Sequence, residues 1–213
     1  MSRAAGNSAR PVPAGRAVRT GPTGRAGGVG QPGAALQGVS DLLRAILFAA
    51  EKHRDHRRKG TVAAPYINHP IAVAEQLAAA GFEDDTGLLM AAVLHDVVED
   101  TDTTEEELAR DFGPRVAGIV MEVTDDKSLR RSERRERVVR TIAGKSREAR
   151  LLKLSDLIAN VHDVIHHPPH WTDEQKRDYL AWGEDVAGAI SGTHAGLEAR
   201  LAKLLQHARA VIG

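Results

Sequence analysis

The spacing of apolar residues from Ser40 onward constrains the fold more than any other feature of the sequence. Ile46 and Leu47 follow Leu43 by three and four residues, as on one face of a helix. No later segment shows the sustained alternation of apolar and polar residues that is typical of a half-buried strand. The pattern therefore predicts an all-α domain over residues 40–213.

Capping and breaking residues indicate where the helices begin and end. Asn68 and Pro70 favour the start of a helix, and Gly81 favours its end. Thr103 with Glu106 matches the capping box, in which the glutamate carboxylate accepts a hydrogen bond from the backbone N–H of the capping residue. Further helices are predicted over residues 84–99, 114–124, 132–143, 147–165, 173–191 and 195–212. Because no internal repeat is visible, we expect a single helical bundle.

The N-terminal segment differs from the rest of the chain in composition. Residues 1–40 hold five arginines, no acidic residue, nine of the 20 glycines and four of the nine prolines. Such a segment buries too little apolar surface to offset the entropy of ordering it, so residues 1–39 are predicted to be a disordered tail. An organelle transit peptide is also rich in arginine and poor in acids, but the glycines and prolines oppose its amphipathic helix.

Composition excludes several classes of protein. The chain has no cysteine, which rules out disulfides, thiolate catalysis and cysteine-ligated zinc. A net charge of +0 argues against a general nucleic-acid partner. No apolar run approaches the roughly 20 residues that a membrane span needs, and no secretory signal is visible. We therefore expect a cytoplasmic protein with no membrane partner, while its oligomeric state stays open.

A group of ionisable residues follows the apolar run at residues 88–94. On a helix, residues four apart share one face, so His95 is expected to lie beside Glu99. Asp96 is expected to lie beside Asp100 in the same way. Imidazole with carboxylate is the mixed set of ligands that suits Mn²⁺, Fe²⁺ or Zn²⁺. The segment therefore predicts part of a metal site.

Two further candidate ligands lie elsewhere in the chain. His69 stands at the start of a helix that rises roughly 16 Å before the turn at Gly81. The next helix returns a similar distance, which would bring His95 back to His69. Asp156, in "KLSDLIAN", lies at the edge of an apolar stripe beside Lys153 and favours a bound cation or several hydrogen bonds.

Four stretches carry a resemblance to a known family: "RRKG" followed by "PYINHPIAVA", "AAVLHDVVEDTDTT", "FGPRVAGIVMEVTDDK" and "KLSDLIAN". They resemble the hydrolase domain of the Rel/SpoT alarmone enzymes, which are HD-domain metal-dependent phosphohydrolases. The resemblance covers about residues 42–205 and is strongest to the small stand-alone alarmone hydrolases related to the metazoan SpoT homologue. Motifs in the family's order are specific, whereas a bare His-Asp pair is weak because the chain has a second one, His162-Asp163.

The resemblance implies roles for nine residues. It implies an Mn²⁺ site formed by His69, His95, Asp96 and Asp156. It implies catalytic roles for Glu99 and Asp100, without dividing the roles between them. It places Arg58 and Lys59 at the guanine and phosphate end of the substrate and Asn160 at the nucleoside. The family usually has a basic residue where Leu157 stands, which puts a local salt bridge or substrate contact in doubt.

The implied activity is hydrolysis of the 3′-pyrophosphate of ppGpp and pppGpp to GDP or GTP and pyrophosphate, in the stringent response. One alternative is an HD phosphohydrolase that acts on another nucleotide, such as NADPH. Another is a non-catalytic regulator that binds a nucleotide.

Two other clusters have competing interpretations. His162, His166, His167 and His170 could bind a transition metal, although a helix end and a proline-broken loop explain them as well. Residues 127–140 hold seven basic residues and two acids. They are interpreted as an exposed helix whose positive field attracts an anionic nucleotide as a side effect.

Overall fold

The computed structural model describes residues 32–60 and 63–213, with only the backbone of residues 32–37. Its described residues form ten α-helices and no strand, which confirms the predicted all-α fold. The helices are α1 (Pro32–Lys52), α2 (Asn68–Leu77), α3 (Thr86–Leu94), α4 (Val97–Asp100), α5 (Glu105–Phe112), α6 (Pro114–Val123), α7 (Arg131–Thr141), α8 (Arg147–His166), α9 (Asp173–Ala189) and α10 (Ala195–Ile212). Within the described residues, none of them combines the length and apolar character needed to cross a bilayer.

The first helix begins earlier than the sequence predicted. α1 starts at Pro32 rather than at Ser40. Proline suits the first turn of a helix, because the N–H that it lacks has no partner within the helix there. The rest of the predicted disordered tail, residues 1–31, lies outside the described residues.

α2 and α3 form a hairpin around Gly81, within a π-helical turn over Ala78–Phe82. Gly81 has a φ of 95°, a left-handed conformation that glycine adopts without steric cost. Asp85 then caps α3, its carboxylate accepting a hydrogen bond of 3.0 Å from the backbone N–H of Leu88. The hairpin returns the end of α3 to the start of α2.

α3 is the most deeply buried helix near the site, packed against α1, α2 and α6. Residues 88–94 are each at most 9% exposed. A helix that is apolar on every side belongs in the centre of a bundle, where each buried leucine contributes about 2 kcal/mol. The polar residues that follow α3 are therefore held by a rigid part of the core.

α8 packs against α2, α6 and α10 and carries the remaining polar residues of the site. Leu154, Leu157 and Ile158 are at most 1% exposed, and Asp156 lies at the edge of this apolar stripe. Leu157 stands where the resemblance implies a basic residue. Because its side chain is in the core, Leu157 faces neither a salt-bridge partner nor the site.

The prediction of a single helix over residues 84–99 is wrong. α3 ends at Leu94 and α4 begins at Val97, with a turn at His95 and Asp96. Neighbouring residues of a regular helix point about 100° apart. The turn instead brings the Nε2 of His95 within 3.1 Å of the Asp96 carboxylate. Two adjacent residues can therefore face one point.

The predicted capping box of Thr103 and Glu106 is wrong by one residue. Thr104 caps α5 and accepts a hydrogen bond of 3.2 Å from the backbone N–H of Glu107. Thr103 is buried, and its hydroxyl lies 2.9 Å from that of Thr101. Its side chain is therefore already engaged and does not cap the helix.

Candidate metal centre and active site

Two imidazoles and two carboxylates from three parts of the chain meet at one point. They are His69 at the start of α2, His95 and Asp96 at the turn after α3, and Asp156 on α8. The Nε2 of His69 lies 3.2 Å from Oδ1 of Asp156 and 3.8 Å from Oδ2 of Asp96. One ligand atom from each of His69, His95 and Asp156 lies within 4.8 Å of the others. This is the mixed N/O set expected for a first-row divalent ion.

The tautomer of His95 tests whether the site fits a cation. Its Nδ1 lies 2.8 Å from the carbonyl oxygen of Ala92, and a carbonyl only accepts, so Nδ1 carries the proton. The Nε2 lone pair of the neutral ring is buried and has no hydrogen-bond partner among the described residues, yet it faces Asp96. A lone pair facing a carboxylate needs a cation between them, either a proton or a metal ion, so the residues fit a metal ion.

Burial and nearby charges shift the pKa of each imidazole. Burial lowers the pKa of His95, but Asp96 and Asp156 outweigh it and raise that pKa to about 9. A metal ion must therefore displace a proton from His95. Burial lowers the pKa of His69, so its ring stays neutral and able to coordinate.

Hydrogen bonds orient both carboxylates. The Tyr66 hydroxyl donates to Oδ2 of Asp96 at 2.6 Å. Lys153 donates to Oδ2 of Asp156 at 3.0 Å, and the Asn160 amide donates to Oδ1 at 2.6 Å. Burial opposes ionisation of Asp156, but Lys153 and the imidazoles hold its pKa well below the usual value. Such partners fix the direction of metal ligands and tune their affinity.

Sequence reasoning assigned no role to Tyr66 or Lys153. Tyr66 precedes His69 by three residues and Lys153 precedes Asp156 by three, the spacing of neighbours on a helix face. This spacing placed Lys153 beside Asp156 in the sequence, but it did not assign a hydrogen bond between them. The hydrogen bond of Tyr66 crosses to Asp96, 30 residues away, so no local pattern indicates it.

Glu99 and Asp100 lie on α4, one turn beyond Asp96, and line the same cavity of about 880 Å³. Glu99 is half-buried and accepts a hydrogen bond of 3.2 Å from the backbone N–H of Asp125. Burial, with the nearby charges of Asp96 and Asp125, raises the pKa of Glu99 to about 7. Asp100 pairs with Lys127. Glu99 can therefore gain or lose a proton near neutral pH.

The three residues expected at the substrate occupy different environments. Arg58 donates to Oδ1 of Asn160 at 2.7 Å and to Oδ2 of Asp163 at 2.7 Å. Asn160 also donates to Asp156, so Arg58 is linked to the metal centre through one amide. Lys59 is exposed and lines the cavity. Sequence reasoning missed Asp163 as the anchor of Arg58.

The rival histidine cluster does not form a comparable site. The rings of His162 and His166 are 4.3 Å apart between centroids, and those of His162 and His167 are 6.3 Å apart. All three side chains are exposed. Within residues 32–60 and 63–213, the group of three close ligand atoms is the one at His69, His95 and Asp156.

Comparisons with known proteins agree with this arrangement. The family model described as HD domain matches residues 45–179. The guanosine-3′,5′-bis(diphosphate) 3′-pyrophosphohydrolase MESH1 of Drosophila melanogaster is 42% identical over 165 residues, which is 77% of this chain and 92% of that protein. The protein of the same name in Homo sapiens is 42% identical over 168 residues, 78% of this chain and 94% of that protein. A solved metazoan orthologue of SpoT that hydrolyses ppGpp superimposes with a TM-score of 0.76 at 41% identity, covering 79% of this chain and 95% of that one.

Proposed function

The chain belongs to the HD domain family, and we propose that it is a metal-dependent hydrolase of the 3′-pyrophosphate of ppGpp and pppGpp. The products are GDP or GTP and pyrophosphate. Relatives named for this activity support the proposal, because they align over 92% and 94% of their own lengths.

The observation that carries this proposal is the convergence of His69, His95, Asp96 and Asp156, with the Nε2 of His95 buried and without a hydrogen-bond partner. Two imidazoles and two carboxylates suit Mn²⁺, and we propose Mn²⁺ as the ion. When bound, a divalent ion lowers the pKa of water and neutralises charge that gathers on phosphoryl oxygens.

Glu99 is the proposed general base. Its raised pKa, about 7, lets it take a proton from the attacking water near neutral pH and release it afterwards. Asp100 pairs with Lys127, and its negative charge helps to raise the pKa of Glu99. Asp100 is therefore a positioning residue whose charge tunes the base.

We propose that the nucleotide binds next to Asp156, at Arg58, Lys59 and Asn160. The guanidinium of Arg58 packs over the Tyr66 ring at 5.5 Å and is fixed by Asp163. A preorganised guanidinium binds a phosphate or base edge at little entropic cost. Lys59 adds a mobile charge on the exposed rim of the cavity.

Turnover of ppGpp with added Mn²⁺ tests the proposal directly. The purified wild-type chain is expected to release pyrophosphate, and His95→Ala is expected to lose both turnover and bound metal. His207→Ala is the matched control, since His207 is exposed on α10 and far along the chain from the site. Equal turnover by wild type and His95→Ala would rule out the metal centre.

Parallel assays with NADPH and deoxynucleotides measure the choice of substrate. The proposal expects kcat/KM for ppGpp to exceed that for NADPH. A higher kcat/KM for NADPH would identify NADPH as the preferred substrate without contradicting the proposed metal centre. Binding of ppGpp without any release of pyrophosphate would instead identify a regulator.

A further inference from the structure

The six arginines on and just before α7 fall into three groups, one of which is Arg140 alone, exposed and outside the lining of the cavity. Three are paired with carboxylates: Arg130 with Glu133 at 2.6 Å, Arg134 with Asp125 at 4.0 Å and Arg137 with Asp126 at 3.6 Å. Arg131 and Arg135 have no carboxylate oxygen within 4.0 Å among the described residues, although both line the cavity of the metal centre. Two positive charges therefore face the cavity without a direct ion pair, and Asp178, an acid that acts on Arg135, offsets its charge only in part.

Aromatic rings hold these two guanidiniums in place. Arg131 lies over Trp171, 5.0 Å from its centroid. Arg135 lies 5.4 Å from the centroids of both Tyr179 and Trp182. A guanidinium stacked on a ring is held in direction while its N–H groups stay free to donate. The rings thus orient the N–H donors of both guanidiniums for a ligand in the cavity.

Arg131 and Arg135 form one wall of the cavity. Their positive charges would be compensated by a bound anion. Arg135 is half-buried, and burial together with the like charge of Arg131 lowers its pKa. A partly buried cation beside another cation is costly unless an anion compensates both. Arg130 and Arg137, which do not line the cavity, are each paired with a carboxylate.

The wall lies on the opposite side of Asp156 from Arg58. Along α8, Lys153 precedes Asp156 by one turn, while Asp163, which holds Arg58, follows it by about two. Lys153 lies 5.7 Å from the centroid of Trp182, the ring on which Arg135 packs. A ligand whose central group lies at the metal centre can therefore reach Arg58 at one end and the two arginines at the other.

We propose that Arg131 and Arg135 bind the 5′-diphosphate of the nucleotide while its 3′-pyrophosphate lies at the metal centre. This inference rests on the proposed function, since ppGpp carries a diphosphate at each of two positions. One metal centre compensates one of them, and the second needs cations of its own. Paired N–H donors of guanidinium match phosphate oxygens in geometry and charge.

A comparison of ppGpp with guanosine 3′-diphosphate tests whether the two arginines bind the 5′-diphosphate or support nucleotide binding in general. Arg131→Ala and Arg135→Ala are each expected to raise KM for ppGpp about tenfold with kcat nearly unchanged, because each removes charge-assisted hydrogen bonds. Neither is expected to alter KM for guanosine 3′-diphosphate, which has a free 5′-hydroxyl. Arg137→Ala is the matched control, as it removes one charge from the same helix at an exposed, paired position.

Equal losses on both substrates would overturn the proposal, as would an equal loss in Arg137→Ala, which would indicate a long-range field. Melting temperatures and circular dichroism of each variant check that it is folded. A folded variant with unchanged KM for ppGpp would also overturn it.

Binding of GDP tests the subsite without hydrolysis. The two tryptophans of the chain, Trp171 and Trp182, both line the cavity, so their fluorescence reports a ligand there. The Mn²⁺-loaded wild type is expected to bind GDP about a hundredfold more tightly than guanosine, and the double variant is expected to lose this difference. Equal binding of GDP and guanosine by the wild type would overturn the subsite. Arginine-dependent GDP binding without ppGpp turnover would support the subsite and refute only the proposed function.

Discussion

The hydroxyl of Tyr66 donates a hydrogen bond of 2.6 Å to the carboxylate of Asp96, although the two residues are 30 positions apart. Burial and the charge of Asp96 raise the pKa of Tyr66, so the hydroxyl stays protonated and can only donate to the carboxylate. The ring is held by His53, whose centroid lies 4.7 Å away. The bond therefore orients a carboxylate of the proposed metal centre from a fixed support.

Tyr66→Phe tests this support. The ring and its packing on His53 remain, so the fold is expected to be stable, while the affinity for Mn²⁺ is expected to fall about tenfold. Titration calorimetry of the metal measures the change. Tyr179→Phe removes the hydroxyl of the other tyrosine of the chain and is expected to leave the metal affinity unchanged. Equal affinities for wild type and Tyr66→Phe would show that Asp96 needs no such partner.

Lys153 and Asp156 form a buried pair whose role changes when a metal binds. Without a metal, Lys153 is the nearest cation to Asp156, and removal of one partner of a buried pair costs about 3 kcal/mol. With a metal, the ion compensates Asp156. Lys153→Met is therefore expected to lower the free energy of unfolding by about 3 kcal/mol in EDTA and by clearly less in Mn²⁺. Urea denaturation in both conditions checks the difference, and an equal loss in both would contradict it.

The hairpin that joins His69 to His95 depends on Gly81. A Cβ atom at Gly81 would contact no atom within 4 Å, so a substitution there is strained only by its φ of 95°. Gly81→Ala is expected to destabilise the protein by about 1 kcal/mol. Gly118→Ala in α6 also contacts nothing within 4 Å but lies in a regular helix, so it is expected to stabilise by about 0.5–1 kcal/mol. Thermal denaturation of the two variants compares the opposite signs.

Local patterns were sufficient to predict most of the helices and the hairpin. Apolar periodicity marks the helical faces, and Gly81 marks the reversal, because both depend on near neighbours in the chain. The turn at His95 and Asp96 could not be predicted in this way. Two adjacent side chains there face one point in the folded protein, and this requirement comes from tertiary packing around Asp156.

The candidate site, like the fold, could be predicted from the sequence only in part. Residue types and family motifs suggested His69 and Asp156, and helical spacing placed Lys153 beside Asp156, but the hydrogen bond between those two side chains was not predicted. The role of Asp163 could not be predicted from the sequence, because its partner, Arg58, lies 105 residues away. Arg131 and Arg135 looked like ordinary members of a charged helix until the acids beside their neighbours were located.

Glu99 is the residue where function and stability are expected to oppose each other. Its pKa is raised from 4.5 to about 7 in the folded protein, so the folded state holds a proton that the unfolded state has already lost. The metal-free protein therefore loses stability as pH rises from about 4.5 to about 7, and the loss is complete above that window. Ionised Glu99, the form that can act as a base, is the less stable form.

Glu99→Gln removes this titration. After allowance for solvent screening, the variant is expected to be about 1–2 kcal/mol more stable than wild type at pH 8 in EDTA, with the advantage shrinking as pH falls toward 4.5. Turnover of ppGpp is expected to fall at least a hundredfold, because the base is gone. Urea denaturation at pH 5 and pH 8 measures the first effect and pyrophosphate release the second. Glu106→Gln, which alters an exposed glutamate on α5, is the control for both. A Glu99→Gln variant that retained turnover would remove Glu99 from the mechanism, whereas one that lost turnover without any gain at pH 8 would show that its carboxyl titrates normally.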